Sequence, residues 1–413
     1  MAIINNFNAI RPKNDLAEKV AALPFDVYTR EEAREAAKGN PYSFLHVDKA
    51  EIDLPDDVPA GDARIYKNAR LKLDAMINDN VFARDKNPCL YVYRLSAFGR
   101  TQTGIVCLAD VSEYENGSIK RHELTRSEKE KDRTDHINAC GAHTGPIFMT
   151  IRSDKQLKKI ISKWTASHEP DCSFTAEDGV GHSVWVIDDT FKIAEIVLIF
   201  EKSVRALYIA DGHHRTASAC NAARIRREAD AGSGVKGAYE KFLAVVFPHD
   251  ELAIMDYNRL VKDLNGLSDD VFFAEIGRSF SIEKVNSPVR PEKKFEYGMY
   301  MRGSWYKLNY IADKPAGTVE SLDVSVLQDK LLAPVLGIAD PRTDNRIDFA
   351  GGVRGCGYLQ ERVDCGDMAV AFTMYPTSMD ELLAVSDGGH IMPPKSTWFE
   401  PKLRSGLFIH KFE

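Results

Sequence analysis

The chain has 413 residues, 44% hydrophobic and 28% charged, the balance of a globular protein too long for a single core. Its formal net charge of -7 argues against bulk binding to nucleic acid or to an anionic membrane, leaving a small molecule as the expected partner and a homodimer open. No apolar run approaches membrane-spanning length, the start MAIINNFNAIRPKND lacks a signal-peptide core, and the seven cysteines are scattered without C-x-x-C spacing; a reducing, cytoplasmic setting is expected.

Along the chain, Thr29-Arg30-Glu31-Glu32 is a helix cap with an acidic first turn, opening a helix from about Glu31 to Lys38 that stops at Gly39-Asn40-Pro41. Ile65, Leu71, Leu73 and Met76 give 61–78 a helical spacing. Pro88–Leu95 and Gln102–Asp110 read as strands joined by a loop containing Gly99. Ser127-x-x-Glu130 has capping-box spacing, so a helix is expected from there to about Cys140, ended by Gly141. A strand over Gly145–Thr150, a helix over Asp154–Ala166 and a strand over Ser183–Ile187 follow, and the stretch before Ala206 fits helix or strand.

The stretch Ala206–Ala219, ALYIADGHHRTASA, concentrates the chemistry. A strand-length apolar run, Ala206–Ala210, breaks at Asp211-Gly212 and resumes as a small-residue helix over Thr216–Arg227. Such a turn aims free backbone N–H groups and the positive end of a helix dipole at one spot. Gly212 permits close backbone approach, Arg215 adds a planar fork of donors for phosphate, and the amides through Thr216 complete an anion cradle. Asp211, His213 and His214 bring proton-transfer groups there. Phe242–Phe247 is a buried strand, and strand–helix–strand at this spacing predicts a β-α-β unit with a parallel pair and a ligand at the strand's carboxyl end. Beyond Gly266 the reading is a helix over Asp269–Phe280, a hairpin of Gly298–Arg302 and Trp305–Ile311 about Gly303-Ser304, and an amphipathic helix over Leu322–Leu332. A strand over Met368–Met374, a helix over Ser378–Val385 and a last strand over Gly406–His410 close the chain. The expected domains are a core with N-terminal α/β elements over 1–265, an α+β insertion over 266–345, and a segment over 346–413 that returns to the core.

Two further segments carry candidate residues. In RHELTRSEKEKDR, Glu123 precedes a helix N-terminus, where the dipole keeps a carboxylate ionised as a base. His122 beside it is a candidate substrate contact, and Arg126, Lys129 and Arg133 share a helical face that would line an anion pocket with Arg215. In MPPKSTWFEPKLRSG, Lys395, Ser396, Thr397 and Lys402 form a rigid cationic loop suited to a phosphate or carboxylate clamp folded against Asp211–Arg215. The glycine-rich Ala350–Gly357 lacks both phosphate-loop arrangements. His122, His136, His143, His213 and His214 have no zinc-site spacing, so no permanent metal is assigned; magnesium carried by substrate phosphates needs none.

LPFDVYTREEA, NPYSFLHV, RHELTRSEKEKDR, IADGHHRTASA, SLDVSVLQ and MPPKSTWFEPKLRSGL together resemble the prokaryotic domain-of-unknown-function family numbered one thousand and fifteen, over essentially the whole chain. The D-G-H-H-R-x-x-x-A core is also similar to the signature of the ParB-like superfamily, which includes ParB nucleotidases, sulfiredoxin and the free-serine kinases. Sulfiredoxin has a cysteine in its motif and Gly212-His213-His214-Arg215 has none, which argues against sulfinic-acid reduction. The resemblance implies an α/β fold (α+β overall), with a ParB-like nucleotide-binding core and additional α+β parts. It also implies phosphoryl transfer between ATP or ADP and a small hydroxylated metabolite, serine or phosphoserine first, with transient Mg2+. A phosphoserine phosphatase using the same pocket and a non-enzymatic nucleotide-sensing regulator are the alternatives. In the serine-kinase branch an acidic residue upstream of the motif is the base, a role that falls here to Glu123 or Asp211.

Overall fold

The computed structural model describes residues 1–230 and 237–412. The fold is α/β, mixed in its sheets, and divides into two compact units. The first comprises Met1–Arg121, Thr125–Leu252 and Pro401–Glu413; the second comprises His122–Leu124 and Ala253–Glu400. The first unit thus takes in only the last part of the 346–413 segment.

The first unit is organised on an eight-stranded sheet among the described residues: β1 (Ile4–Asn5), β2 (Leu90–Ala97), β3 (Arg100–Asp110), β4 (Ile147–Ile151), β5 (Cys172–Thr175), β6 (Gly181–Ile187), β7 (Tyr208–Asp211) and β8 (Lys241–Pro248). Their order is β7-β4-β8-β3-β2-β6-β5, with β1 on β3. Its longer helices are α1 (Arg30–Ala36), α2 (Ala63–Asn78), α3 (Ser127–Cys140), α4 (Lys155–Ser167), α5 (Thr190–Ser203) and α6 (His213–Ala229). α5 resolves the stretch that reads as either helix or strand in sequence. Alternate residues Phe242, Ala244 and Val246 of β8 enter one cluster with Ile160 of α4, Ile196 of α5 and Ala223 of α6. Full burial of each large apolar side chain there contributes about 1.5–3 kcal/mol. On β8 the residues between them, such as Val245 and Phe247, are also buried, as expected of a central strand read as a continuous apolar run. A second cluster, including Phe44, Leu73 and Phe82, holds α1 and α2.

Three expectations need correction here. β7 and β8 are not a parallel pair: β4 lies between them, parallel to β8 and antiparallel to β7. Both edges of β8 are occupied, by β3 and β4, so β7 takes the outer edge of β4. Periodicity identifies a strand but not which edge receives it. Second, α3 begins at Ser127 without a side-chain cap from that serine. Glu130 is instead engaged by the Thr125 hydroxyl and, at 3.2 Å, by Asn221 of α6. Third, the strand expected over Gly406–His410 begins only at its end, where His410–Lys411 pairs with Ala142–His143. Phe408 packs across the sheet face against Tyr91 and Tyr93, so this apolar run is buried by packing on the face rather than by extending an edge.

The second unit has its own antiparallel sheet: β9 (Tyr257–Val261), β10 (Phe280–Val285), β11 (Glu296–Met301), β12 (Ser304–Tyr310), β13 (Ile347–Gly351) and β14 (Val370–Thr373), in the order β10-β12-β11-β14-β9-β13. α7 (Asp269–Ile276), α8 (Gly355–Asp364) and α9 (Met379–Asp387) accompany it. The glycines at 351 and 352 mark close approaches, not a phosphate loop: added Cβ atoms would meet the Trp398 ring at 2.6 Å and Asp256 Oδ1 at 1.9 Å. The amphipathic segment at 322–332 is α-helical only over Asp323–Leu327 and widens to a π-turn over Gln328–Leu332, with both Leu331 and Leu332 buried.

Asp323 begins that helix and accepts from the Phe295 amide, yet burial pushes its carboxyl up to about 7 against that hydrogen bond and the nearby Lys294 charge. The native acid therefore stays protonated over a range where the unfolded chain, with a carboxyl near 3.9, has released its proton. Its contribution to stability is full below about pH 4 and is lost as pH rises through about 7. Denaturant midpoints at pH 5 and pH 8 should fall with pH in the native protein, by roughly 2–3 kcal/mol in unfolding free energy. Asp323→Asn should remove most of that slope, and an unchanged slope would refute the assignment.

Candidate functional site

β7 ends at Asp211 after a register irregularity between Ile209 and Asp211, a place where bulges re-aim side chains. Gly212 follows with φ +98° and caps α6, which starts at His213 rather than at Thr216. A side chain at 212 would be strained in that conformation, and its Cβ would lie 3.2 Å from Arg215 Nε, so the turn requires glycine. His213 and His214 form the first turn, whose amides have no intrahelical acceptor. Thr216 is fully buried and its hydroxyl donates to the Gly212 carbonyl at 3.0 Å, so that donor acts on the turn instead of on a ligand.

The arrangement of α3 beside α6 is decisive for the electrostatics. The Arg126 amide donates to His214 Nε2 at 3.0 Å, Ser218 Oγ to the Glu130 carbonyl at 2.9 Å, and Arg226 Nε to Asn138 Oδ1 at 3.0 Å. Each pair is separated by 88 residues, and a constant difference means that the helices run parallel. Their N-termini therefore lie together. Two aligned macrodipoles repel along their length, and an anion at the shared positive end relieves that repulsion. His214 accepts at Nε2, which assigns its proton to Nδ1 in the neutral ring.

Asp211 is engaged by two cations: Lys402 Nζ at 2.7 Å and Arg215 Nη2 at 4.0 Å. Burial alone would raise its carboxyl, but Lys402 and Arg215, with the Lys402 hydrogen bond, overcome that and hold it well below the usual carboxylate range. So low an acid is a poor proton acceptor near neutrality. Lys402, expected to touch substrate, is the residue by which the carboxy-terminal tail reaches the turn. Lys402→Met leaves the largely buried carboxylate undercompensated and should lower unfolding free energy by on the order of 1–3 kcal/mol in a urea titration at pH 7. An unchanged midpoint would show that the pair contributes nothing.

Arg215 donates through Nη1 to the Pro146 carbonyl at 2.6 Å, while no acceptor among the described residues reaches its buried Nε. It borders a cavity of about 30 Å3, room for a water or two, shared with Arg133, Asp48, Phe25 and Ser405. Arg133 is buried: Nη1 donates to the Asp48 carbonyl at 3.1 Å, Nε to Asp132 at 2.8 Å, and the guanidinium lies 4.0 Å from the Phe25 ring centre. Asp48 in turn accepts from Thr144 at 2.6 Å. Arg126 is exposed at the N-cap of α3, and Lys129 lines an open cleft on its first turn. Asp48 and Thr144 carry no distinguishing mark in the sequence; Phe25 sits in the family motif LPFDVYTREEA, where the proline signals a loop and no chemistry singles out the ring. His136 and His143 are buried structural residues. His136 meets the Val47 carbonyl at 3.0 Å, and burial lowers both, His143 to about 3.

His122 and Glu123 belong to the second unit, as does the Lys395-Ser396-Thr397 loop. The His122 carbonyl accepts from the Met392 amide at 2.8 Å, and His122 Nε2 lies 3.4 Å from the Thr397 hydroxyl. Lys395 has φ +59°, its carbonyl accepts from buried Arg259 at 3.1 Å, and its ammonium lies 5.5 Å from the Tyr257 ring centre. Ser396 spends its hydroxyl on the Pro393 carbonyl at 2.6 Å, so it shapes the loop.

The family model described as "Protein of unknown function (DUF1015)" matches residues 4–325. The chain belongs to this family. No curated protein sequence matches it. Among solved structures it is similar to a free serine kinase in complex with AMP, with 13% identity over 71% of this chain and 86% of that one at a TM-score of 0.34. It is also similar to a conserved hypothetical protein from Pyrococcus furiosus (10% identity, 74% and 95% coverage, TM-score 0.36) and to SbnI with C-terminal truncation from Staphylococcus aureus (14% identity, 74% and 87% coverage, TM-score 0.36). Likenesses this distant assign no role to any residue. Among the described residues no helix is long and apolar enough to cross a membrane.

Proposed function

We propose that this DUF1015 member transfers a phosphoryl group between a nucleotide, ATP or ADP, and a small hydroxylated metabolite, with serine or phosphoserine as the first candidate. The observation that carries the reading is the parallel pair of α3 and α6, whose joined N-termini sit beside Arg215. Phosphoryl transfer asks a protein for positioning and charge neutralisation more than for covalent chemistry, and that is what such a site supplies. In this reading the Gly212–Arg215 amides and the Arg215 guanidinium hold phosphate oxygens. His214 fixes the two N-termini against each other, and His213 helps to orient the group bound there. Asp211 anchors Lys402 and Arg215. The resemblance to the serine-kinase branch gives the hydroxyl proton to an acid upstream of the motif, which here is Glu123. Serine is named by the resemblance of D-G-H-H-R to the free-serine kinases, while the anion site rests on the helix geometry alone.

The test is to incubate the pure protein with phosphoserine, with and without ADP and Mg2+. ATP formed only when ADP is present supports the reading. Free phosphate released without ADP would replace it with hydrolysis, and ligand-dependent change of oligomeric state without turnover would replace it with sensing.

A further inference from the structure

The first unit contains an open cleft of about 730 Å3, the size of a small-molecule site, whose one wall is the first turn of α3. Glu128 and Lys129 contribute to that wall, one helical turn from the Arg126 amide that meets His214. The lining also includes apolar and aromatic side chains: Val58, Ile65, Tyr66 and Phe25. Both rings are fixed. The Tyr66 hydroxyl donates to Asp132 at 2.9 Å, and Phe25 is stacked on Arg133 at 4.0 Å. Phe25, Asp48 and Arg133 also line the small cavity that borders Arg215, so the cleft and the anion site share walls.

We propose that this cleft is the base subsite: it takes the aromatic ring of the nucleotide whose phosphates lie at the joined helix N-termini. The inference rests on the proposed anion site and adds to it the part of the ligand that phosphate chemistry does not recognise. A ring held against Phe25 and Tyr66 gains apolar burial and stacking without an ordering cost, because both side chains are already pinned. The polar rim, with Asp26, Lys49 and Glu51, offers acceptors and donors to ring nitrogens and amino groups.

Three probes separate the two parts: adenosine, ADP and inorganic pyrophosphate, titrated calorimetrically into the full-length protein. The expected result is saturable adenosine binding, with ADP bound at least ten-fold more tightly than pyrophosphate. Phe25→Ala should reduce the ADP-over-pyrophosphate ratio to near unity with pyrophosphate affinity intact. Ala60→Met, at an exposed position on the cleft, should do the same by filling it, which covers the case in which Phe25→Ala fails to fold. Equal affinity for ADP and pyrophosphate in the native protein, or a ratio unmoved by either folded variant, overturns the base subsite. Failure of the anion site reads differently: pyrophosphate does not bind, or binds Arg215→Ala as well as the native protein. In that case adenosine binding and its sensitivity to Phe25→Ala alone decide the cleft.

Discussion

Glu123→Gln is expected to cut turnover by about two to four decades while leaving nucleotide affinity nearly unchanged, the signature of a lost general base. Two acids are candidates from sequence, and the surroundings of Asp211 make it the poorer proton acceptor. A carboxylate paired at 2.7 Å with Lys402, approached at 4.0 Å by Arg215 and held far below its ordinary range has little tendency to take a proton from a hydroxyl. Its pairing suits it to fixing two cations. Glutamine keeps the size of Glu123 and most of its hydrogen-bonding surface but removes the charge and the basicity. A loss confined to kcat therefore separates proton transfer from binding, whereas a rise in KM alone would mean that Glu123 only positions substrate. Turnover within a few-fold of the native protein would remove it from the mechanism.

Arg215→Ala is expected to weaken pyrophosphate and ADP binding by roughly 1–3 kcal/mol, about 5- to 150-fold, the cost of removing charge-assisted hydrogen bonds. The guanidinium has one arm anchored on the Pro146 carbonyl and its Nε buried beside Gly212 without an acceptor among the described residues. A preorganised cation of this kind loses little entropy on binding, so its truncation shows mainly as affinity. Binding should also weaken as salt is raised in the native protein, and less steeply in the variant. Equal affinity in a folded Arg215→Ala protein, followed by calorimetry with pyrophosphate, would remove the anion site from the turn. The thermal midpoint serves as the folding control, because Arg215 also contributes to holding Asp211.

Several features are legible in local chemistry alone. The apolar run into Asp211-Gly212 announces a strand ending in a left-handed turn, because only glycine adopts φ +98° without strain, and the small residues beyond it announce a closely packed helix. The Gly-stopped helix over Ser127–Cys140 follows from the same local rules, as does a hairpin expected about Gly303-Ser304, whose turn lies one residue earlier at Arg302-Gly303. The family, too, is recognisable from motifs in order along the chain. What local rules do not contain is which surface meets which. The parallel setting of α3 and α6 depends on contacts 88 residues apart, and neither helix carries a mark that distinguishes a parallel from an antiparallel neighbour. The placement of β7 on β4 depends on β8 having both edges filled. The Lys402–Asp211 pair spans 191 residues, and it holds ionised a carboxylate that the sequence offers as a candidate base. Composition, turns and motifs are therefore written in short stretches of sequence, where sterics and capping act. The charge state of the site is a property of the tertiary structure, because burial and long-range ion pairs act only once the chain has folded.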